Sequence, residues 1–245
     1  MIRRLLVLAA LLAAWAQPAL AETRPRIAII IDDLGYALAA GERAVALPGP
    51  VACAFLPAGP AAGRLALAAA EKGKEVLVHL PMQARAVDEH AEPDSITLET
   101  TRQDFARTFE AALDAIPGAV GVNNHRGSLV TRHPGHMSWL MQEIGARESM
   151  FFVDSYTTHE SVALKIAAET GIDAVKRDVF LDADTSPDAI RAEFERLKAL
   201  ARKQGAAVAI GHPNEATLSL LEKELPRLEA EGFELVPIST LTMQP

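Results

Sequence analysis

RIAIIIDDLG, Arg26 to Gly35, is the stretch whose reading decides the fold of this 245-residue chain. Ile27 to Ile31 form an unbroken apolar run made of isoleucine and one alanine. Such a run reads as a strand buried on both faces, the condition of strands in a parallel sheet. It stops abruptly at Asp32 and Asp33, with Gly35 close behind. Two like charges at the rim of an apolar core are costly unless a metal or a catalytic task holds them, so the pair is a candidate site. A solvated Asp-Asp-Leu-Gly turn is the plainer reading of the same residues.

Outward from this strand, helical and extended patterns alternate. Tyr36 to Leu47 has helical spacing and ends at Pro48-Gly49-Pro50, and Val51 to Leu56 is the second strand. Helices are expected over Pro60 to Lys72, Thr101 to Ile116 with Thr101 as cap, Pro134 to Arg147, His159 to Thr170, and Pro187 to Gln204 between Ser186 as cap and Gly205 as stop. A last helix over Ala216 to Glu231 should bend or break near Pro226. Strands are expected at Glu75 to Leu80, Ala119 to Val122, Met150 to Val153, Ala206 to Ile210 and Phe233 to Ile238. Ala174 to Leu181 is also extended, though Lys176, Arg177 and Asp178 interrupt it. Roughly eight strand and helix alternations predict an α/β fold with a mostly parallel sheet, best met by a closed or nearly closed (β/α) barrel; a doubly wound open sheet is the rival.

Residues 1–21 have the parts of a secretory signal peptide: Arg3 and Arg4, the apolar run Leu5 to Trp15, and Ala19-Leu20-Ala21 before a cleavage point. The run is short for a transmembrane span, so the expectation is an exported periplasmic or secreted protein without stable membrane insertion, with residues 22–245 as one domain. Loss of Arg3 and Arg4 takes the net charge from −8 to −10. Nucleic acid is thereby disfavoured as a partner. Cys53 sits in an apolar run and reads as a core residue rather than a nucleophile.

The strands are followed in turn by Asp32-Asp33, Pro57, His79, Asn123-Asn124-His125, Asp154-Ser155, Asp182 and His212, so polar and metal-capable residues recur at their ends. In a parallel barrel those ends share one face, where loops build the site. Each residue alone has a bland role available: a hydrogen-bonded core histidine at His79, a turn former at Asn123, a cap at Asp154. Asp33, His79 and His125 together offer one carboxylate and two imidazoles, a set suited to zinc with positions left open. The neighbouring Asp32 would then be free to act as a base, a division of roles between the two aspartates that rests on analogy rather than spacing, and His212 could protonate a leaving group. His133 and His136, in an HPGH stretch, compete as ligands from beyond a strand end; His90 and His159 are weaker competitors. No GxxxxGK[ST] loop and no GxSxG elbow exists, which disfavours an ATPase and a serine nucleophile.

IDDLG (Ile31 to Gly35), HLPM (His79 to Met82), GVNNHRGS (Gly121 to Ser128), FFVDS (Phe151 to Ser155), RDVFLD (Arg177 to Asp182) and IGHP (Ile210 to Pro213) occur in this order. Together they resemble the divergent polysaccharide deacetylase family over nearly all of residues 22–245. The resemblance implies a deformed (β/α) barrel of the carbohydrate esterase type. It also implies a zinc-like metal held by Asp33 and two histidines, with Asp32 as catalytic base. Better-known relatives draw both histidines from one HxxxH-type loop; here that loop offers only His79, and His125 on the next strand must supply the second. Two local departures are Arg126 where methionine is expected and Gln83 where glutamate is expected. A cation at Arg126 would weaken metal binding or favour an anionic sugar.

Two functions follow from the resemblance. One is a metal-dependent hydrolase removing acetyl groups from a polysaccharide. The other is a non-catalytic carbohydrate-binding or envelope-organising protein on the same barrel. Aromatic residues make up 5% of the chain, and outside the leader only Tyr36, Trp139 and Tyr156 are tyrosine or tryptophan, so a broad sugar-stacking cleft is poorly supplied.

Overall fold

The sheet is built around β1 (Arg26–Leu34), which lies between β2 (Ala52–Phe55) and β8 (Ala206–Gly211) in parallel register. The structure, a computed structural model, describes residues 24–86, 92 and 94–242. The expected signal peptide and His90 lie outside the described residues. The other strands are β3 (Val76–Met82), β4 (Ala119–Arg126), β5 (Phe151–Asp154), β6 (Ala174–Lys176), β7 (Val179–Phe180) and β9 (Glu234–Leu235). Helices α1 (Leu38–Ala46), α2 (Ala62–Glu71), α3 (Arg102–Ala115), α4 (Pro134–Gly145), α5 (Ala163–Thr170), α6 (Pro187–Gln204) and α7 (Glu215–Glu224) intervene. Strand order is β6-β5-β4-β3-β2-β1-β8-β7, all parallel, with β9 added beside the start of β1. The result is one curled (β/α) domain, a half-barrel open between β6 and β7. No helix among the described residues is long and apolar enough to cross a membrane.

The uninterrupted apolar run of β1 now has its reason. Ile27, Ile29 and Ile31 join the layer packed under the helices, with Leu65, Phe105, Phe194 and Leu221. Ala28 and Ile30 face the concave side with Ala52, Ala54, Leu77, Phe151, Val153, Val208 and Ile210, closed from below by Val236 and Ile238. Alternate residues thus serve two cores, as a sheet covered on both faces demands. The concave side is tightly filled: a Cβ added to Gly121 on β4 would stand 2.7 Å from the Phe151 ring and 2.8 Å from Leu77.

Several expected boundaries move, each for a local reason. Ala174 to Leu181 is not one strand but two, on opposite edges of the sheet. Arg177 donates from Nε to Ser155 O at 2.7 Å and from Nη2 to Tyr156 O at 3.0 Å, whereas Asp178 exchanges bonds with Val208 N and O at 2.9 Å. Arg177 therefore holds to β5 and Asp178 to β8, and the chain steps across the seam between them. The helix after His159 starts only at Ala163, because Ser161 accepts from Ala163 N. The final long helix ends at Glu224 and gives way to a tight turn at Leu225–Arg227 containing Pro226. Ser186 precedes α6 as expected but makes no side-chain cap; Asp184 accepts from Ser186 N instead. Thr101 does cap α3, accepting from Asp104 N at 3.2 Å and donating to its carboxylate at 2.6 Å.

Candidate active site

The strands of the concave side carry apolar residues in their lower halves and polar ones toward their C-terminal ends. Continuing the two-residue period past Ile30, Leu77, Gly121, Val153 and Ile210 places Asp32, His79, Asn123, His125, Ser155 and His212 on that inner side. His79 is mid-strand in β3 and pairs in register with Asn123, and the ladder runs on to Met82 beside Arg126. Both strands are longer than their apolar runs suggest. The sequence Asn123-Asn124-His125 is therefore strand, not turn.

Asp33 reaches the same side although it follows Asp32 directly. Its φ is 56°, and the β1 to β2 register slips between Ile31 and Leu34, so a bulge breaks the alternation and turns both carboxylates inward. A positive φ at a non-glycine residue is strained and persists where the surroundings over-determine it. Arg126 and Tyr156, at the ends of β4 and β5, share this conformation with φ of 57° and 50°.

Three ligand atoms converge. Asp33 Oδ1 lies 3.2 Å from His79 Nε2 and 3.0 Å from His125 Nδ1, and the two nitrogens are 3.1 Å apart. These edges approach the roughly 3.3 Å that separates ligand atoms around a tetrahedral ion with bonds of about 2.0–2.1 Å. Asp33 Oδ1 is buried yet has no hydrogen-bond partner, which an ion at the centre of the triangle would supply. The donor set, one carboxylate and two imidazoles, suits zinc and leaves at least one position open. Asp33, His79 and His125 form the group of potential metal ligands found among the described residues.

Around this triangle, Asp32 is 3% exposed and holds Oδ2 3.5 Å from His79 Nε2, while Oδ1 accepts from Asn123 Nδ2 at 2.8 Å. Burial pushes the Asp32 carboxyl up, against the lowering charges of His79 and His212. Burial would raise Asp33 too, but the imidazoles of His125 and His79 beside it hold it well below the usual carboxylate range. His212, one residue past β8, directs Nε2 to 3.6 Å from Asp33 Oδ2, and its Nδ1–H donates to Asp182 at 2.9 Å. Burial works against charge on His212, yet Asp182, Asp32 and Asp33 together raise it to about 9. Asp32, His79, His125 and His212 line a cavity of about 170 Å³ that also takes in Arg126, Ser155, Arg177, Phe180 and Ile210.

Other expected residues fall elsewhere. His133 caps α4, accepting from His136 N at 3.3 Å, and its Nδ1 lies 2.9 Å from His136 Nδ1. Neither belongs to the ligand triangle. His159 sits in the loop before α5. Asp154 plays its bland role, accepting from Tyr156 N at 2.8 Å and Ser161 Oγ at 2.6 Å to close the turn after β5. Pro57 lines a separate cavity of about 420 Å³ against α3. Trp139 packs beside Phe105 and His136, and the Lys176 ammonium covers the Tyr156 ring at 4.4 Å, so of the three aromatic candidates only Tyr36 is openly exposed. Cys53 is fully buried, and burial pushes its thiol up to about 12.

Sequence reasoning missed three partners: Asp182 as the acceptor for His212, Ser155 rather than Asp154 as the inward residue, and Asn123 as the bridge between Asp32 and His79. The signal for Asn123 was present, since it stands two residues before His125 and so on the same strand face.

Comparison with known proteins agrees with this architecture. The sequence profile for divergent polysaccharide deacetylases matches residues 29–242. The uncharacterized protein YibQ of Escherichia coli (strain K12) is 37% identical over 243 residues, covering 99% of this chain and 74% of the relative. The crystal structure of the uncharacterized protein ATU2773 from Agrobacterium tumefaciens C58 has a TM-score of 0.84 at 21% identity, covering 90% of each chain. The catalytic domain of peptidoglycan N-acetylglucosamine deacetylase from Eubacterium rectale ATCC 33656 has a TM-score of 0.55 at 14% identity, over 89% of this chain and 91% of that one. The chain belongs to the divergent polysaccharide deacetylase family.

Proposed function

We propose that this chain is an exported, metal-dependent hydrolase that removes acetyl groups from a polysaccharide. The observation that carries the reading is the meeting of a metal-type triangle, a buried carboxylate and a histidine backed by Asp182 beside one small cavity. Asp33, His79 and His125 would hold a zinc-type ion, which when bound would supply Lewis-acid polarisation of a carbonyl and acidify water. Asp32 is the base: Asn123 holds its Oδ1, leaving Oδ2 to take a proton from the attacking water. His212 is the acid, because a group raised to about 9 carries its proton at neutral pH and can deliver it from Nε2 to the departing amine or alkoxide. Asp182 keeps that proton on the correct nitrogen by accepting from the other. Export is supported by the leader at residues 1–21.

The test is metal content of the purified chain from residue 22 onward, paired with acetate release from a panel of N- and O-acetylated glycans. One equivalent of divalent metal and acetate release that stops on chelation and returns on zinc addition are expected. Metal without acetate from any glycan would overturn the hydrolase and leave the carbohydrate-binding reading.

A further inference from the structure

The metal triangle and the base are joined by one amide, and the geometry points to Asn123 as a positioning residue for both. Its carbonyl selects the His79 tautomer able to ligate a metal, and its NH2 group sets the Asp32 carboxylate. The second half rests on the hydrolase reading; the first rests on metal binding alone.

Asn123 is fully buried on the inner face of β4, in register with His79 on β3. The Asp32 carboxylate 2.8 Å away is an acceptor, so the Asn123 atom facing it is the NH2 nitrogen. The carbonyl oxygen is then the atom 2.9 Å from His79 Nδ1, and because it only accepts, Nδ1 carries the hydrogen. That leaves His79 Nε2 with its lone pair toward Asp33 Oδ1 and His125 Nδ1. The second amide hydrogen is directed at Ser155 Oγ, 3.3 Å away. Every polar atom of the Asn123 side chain is thus used. Ionised aspartate keeps the acceptor for His79 but lacks the donor for Asp32, and alanine lacks both.

The experiment uses the chain from residue 22 as wild type, Asn123→Ala and Asn123→Asp. Zinc affinity is read by competition with a chromogenic chelator, ligand geometry by the visible spectrum after cobalt substitution, and turnover by acetate release from an acetylated glycan panel. Asn123→Ala should lose about 10–100-fold in zinc affinity and shift the cobalt spectrum, as outer partners of ligating histidines do. Asn123→Asp should bind zinc within about threefold of wild type or tighter and keep the cobalt spectrum, while kcat falls by about 10²-fold at unchanged KM. Wild-type zinc affinity in Asn123→Ala overturns the assignment. So does Asn123→Asp losing zinc and kcat in proportion, which a mere packing role predicts. Should Asn123→Ala fail to fold, the near-isosteric Asn123→Asp decides by the same split. Wild type inactive on every glycan overturns the hydrolase reading and the Asp32 half with it, and zinc affinity still decides the His79 half.

Discussion

His212 Nδ1 and Asp182 Oδ1 are 2.9 Å apart, and through this bond the ring presents Nε2 to the cavity. The other carboxylate oxygen accepts from His212 N at 2.7 Å, Asn214 Nδ2 at 2.7 Å and Thr217 Oγ1 at 2.8 Å. Asp182 thus ties the ends of β7 and β8 to the start of α7. Asp182→Ala leaves several donors unpaired and should lower the unfolding free energy of the metal-free chain by about 3–5 kcal/mol, read by urea denaturation. A loss under about 1 kcal/mol would remove Asp182 as the anchor.

The same pair makes stability depend on pH. Burial would raise Asp182, but its bonds and charge interaction with His212 lower it, so its contribution is present above about 3.8 and fades as pH falls through the depressed value. His212 is raised from 6.5 to about 9, so its contribution is complete below 6.5 and is lost as pH rises through about 9. In chelator, the stability gap between wild type and Asp182→Asn should be widest at pH 4–6.5 and shrink by pH 10. A gap constant across that range would contradict the pairing.

Ligands and base should separate. Asp33→Ala or His125→Ala removes one of the three proposed protein ligands and should strip the metal on dialysis, measured by elemental analysis. Asp32→Asn keeps shape but cannot accept a proton, so it should retain metal and lose turnover by about 10²–10⁴-fold. Metal held as tightly in His125→Ala as in wild type would redirect the search to His133 and His136.

Cys53 should be chemically silent in the folded protein. It is fully buried and its thiol is pushed up to about 12, so almost no thiolate exists at pH 8. A chromogenic disulfide reagent should register no thiol in native protein and one equivalent in urea. Rapid reaction of the native chain would place Cys53 outside the core.

The reading of residues 1–21 as a signal peptide predicts their removal. N-terminal sequencing of protein from the producing cell should start at Glu22. Recovery of Ile2 or Met1 from a cytoplasmic fraction would exclude export.

What the sequence by itself determined is the chain of elements and the barrel class. Apolar runs such as Ile27 to Ile31 and the Pro and Gly boundaries of α6 report local burial and local backbone freedom, which short stretches encode directly. It also gathered Asp32, Asp33, His79, His125 and His212 on one end of the sheet, because parallel strands bring their C-terminal halves together, although His79 proved to be mid-strand. Only the tertiary structure decided which side each residue faces. Asp33 needed a bulge and a φ of 56° to stand beside Asp32, Asp154 turned outward while Ser155 turned in, and the seam fell between Arg177 and Asp178. Those outcomes depend on pairing across strands, and on hydrogen bonds such as Asn123 to Asp32, whose partners lie 91 residues apart. Local sequence carries no information about that distance until the sheet curls and closes it.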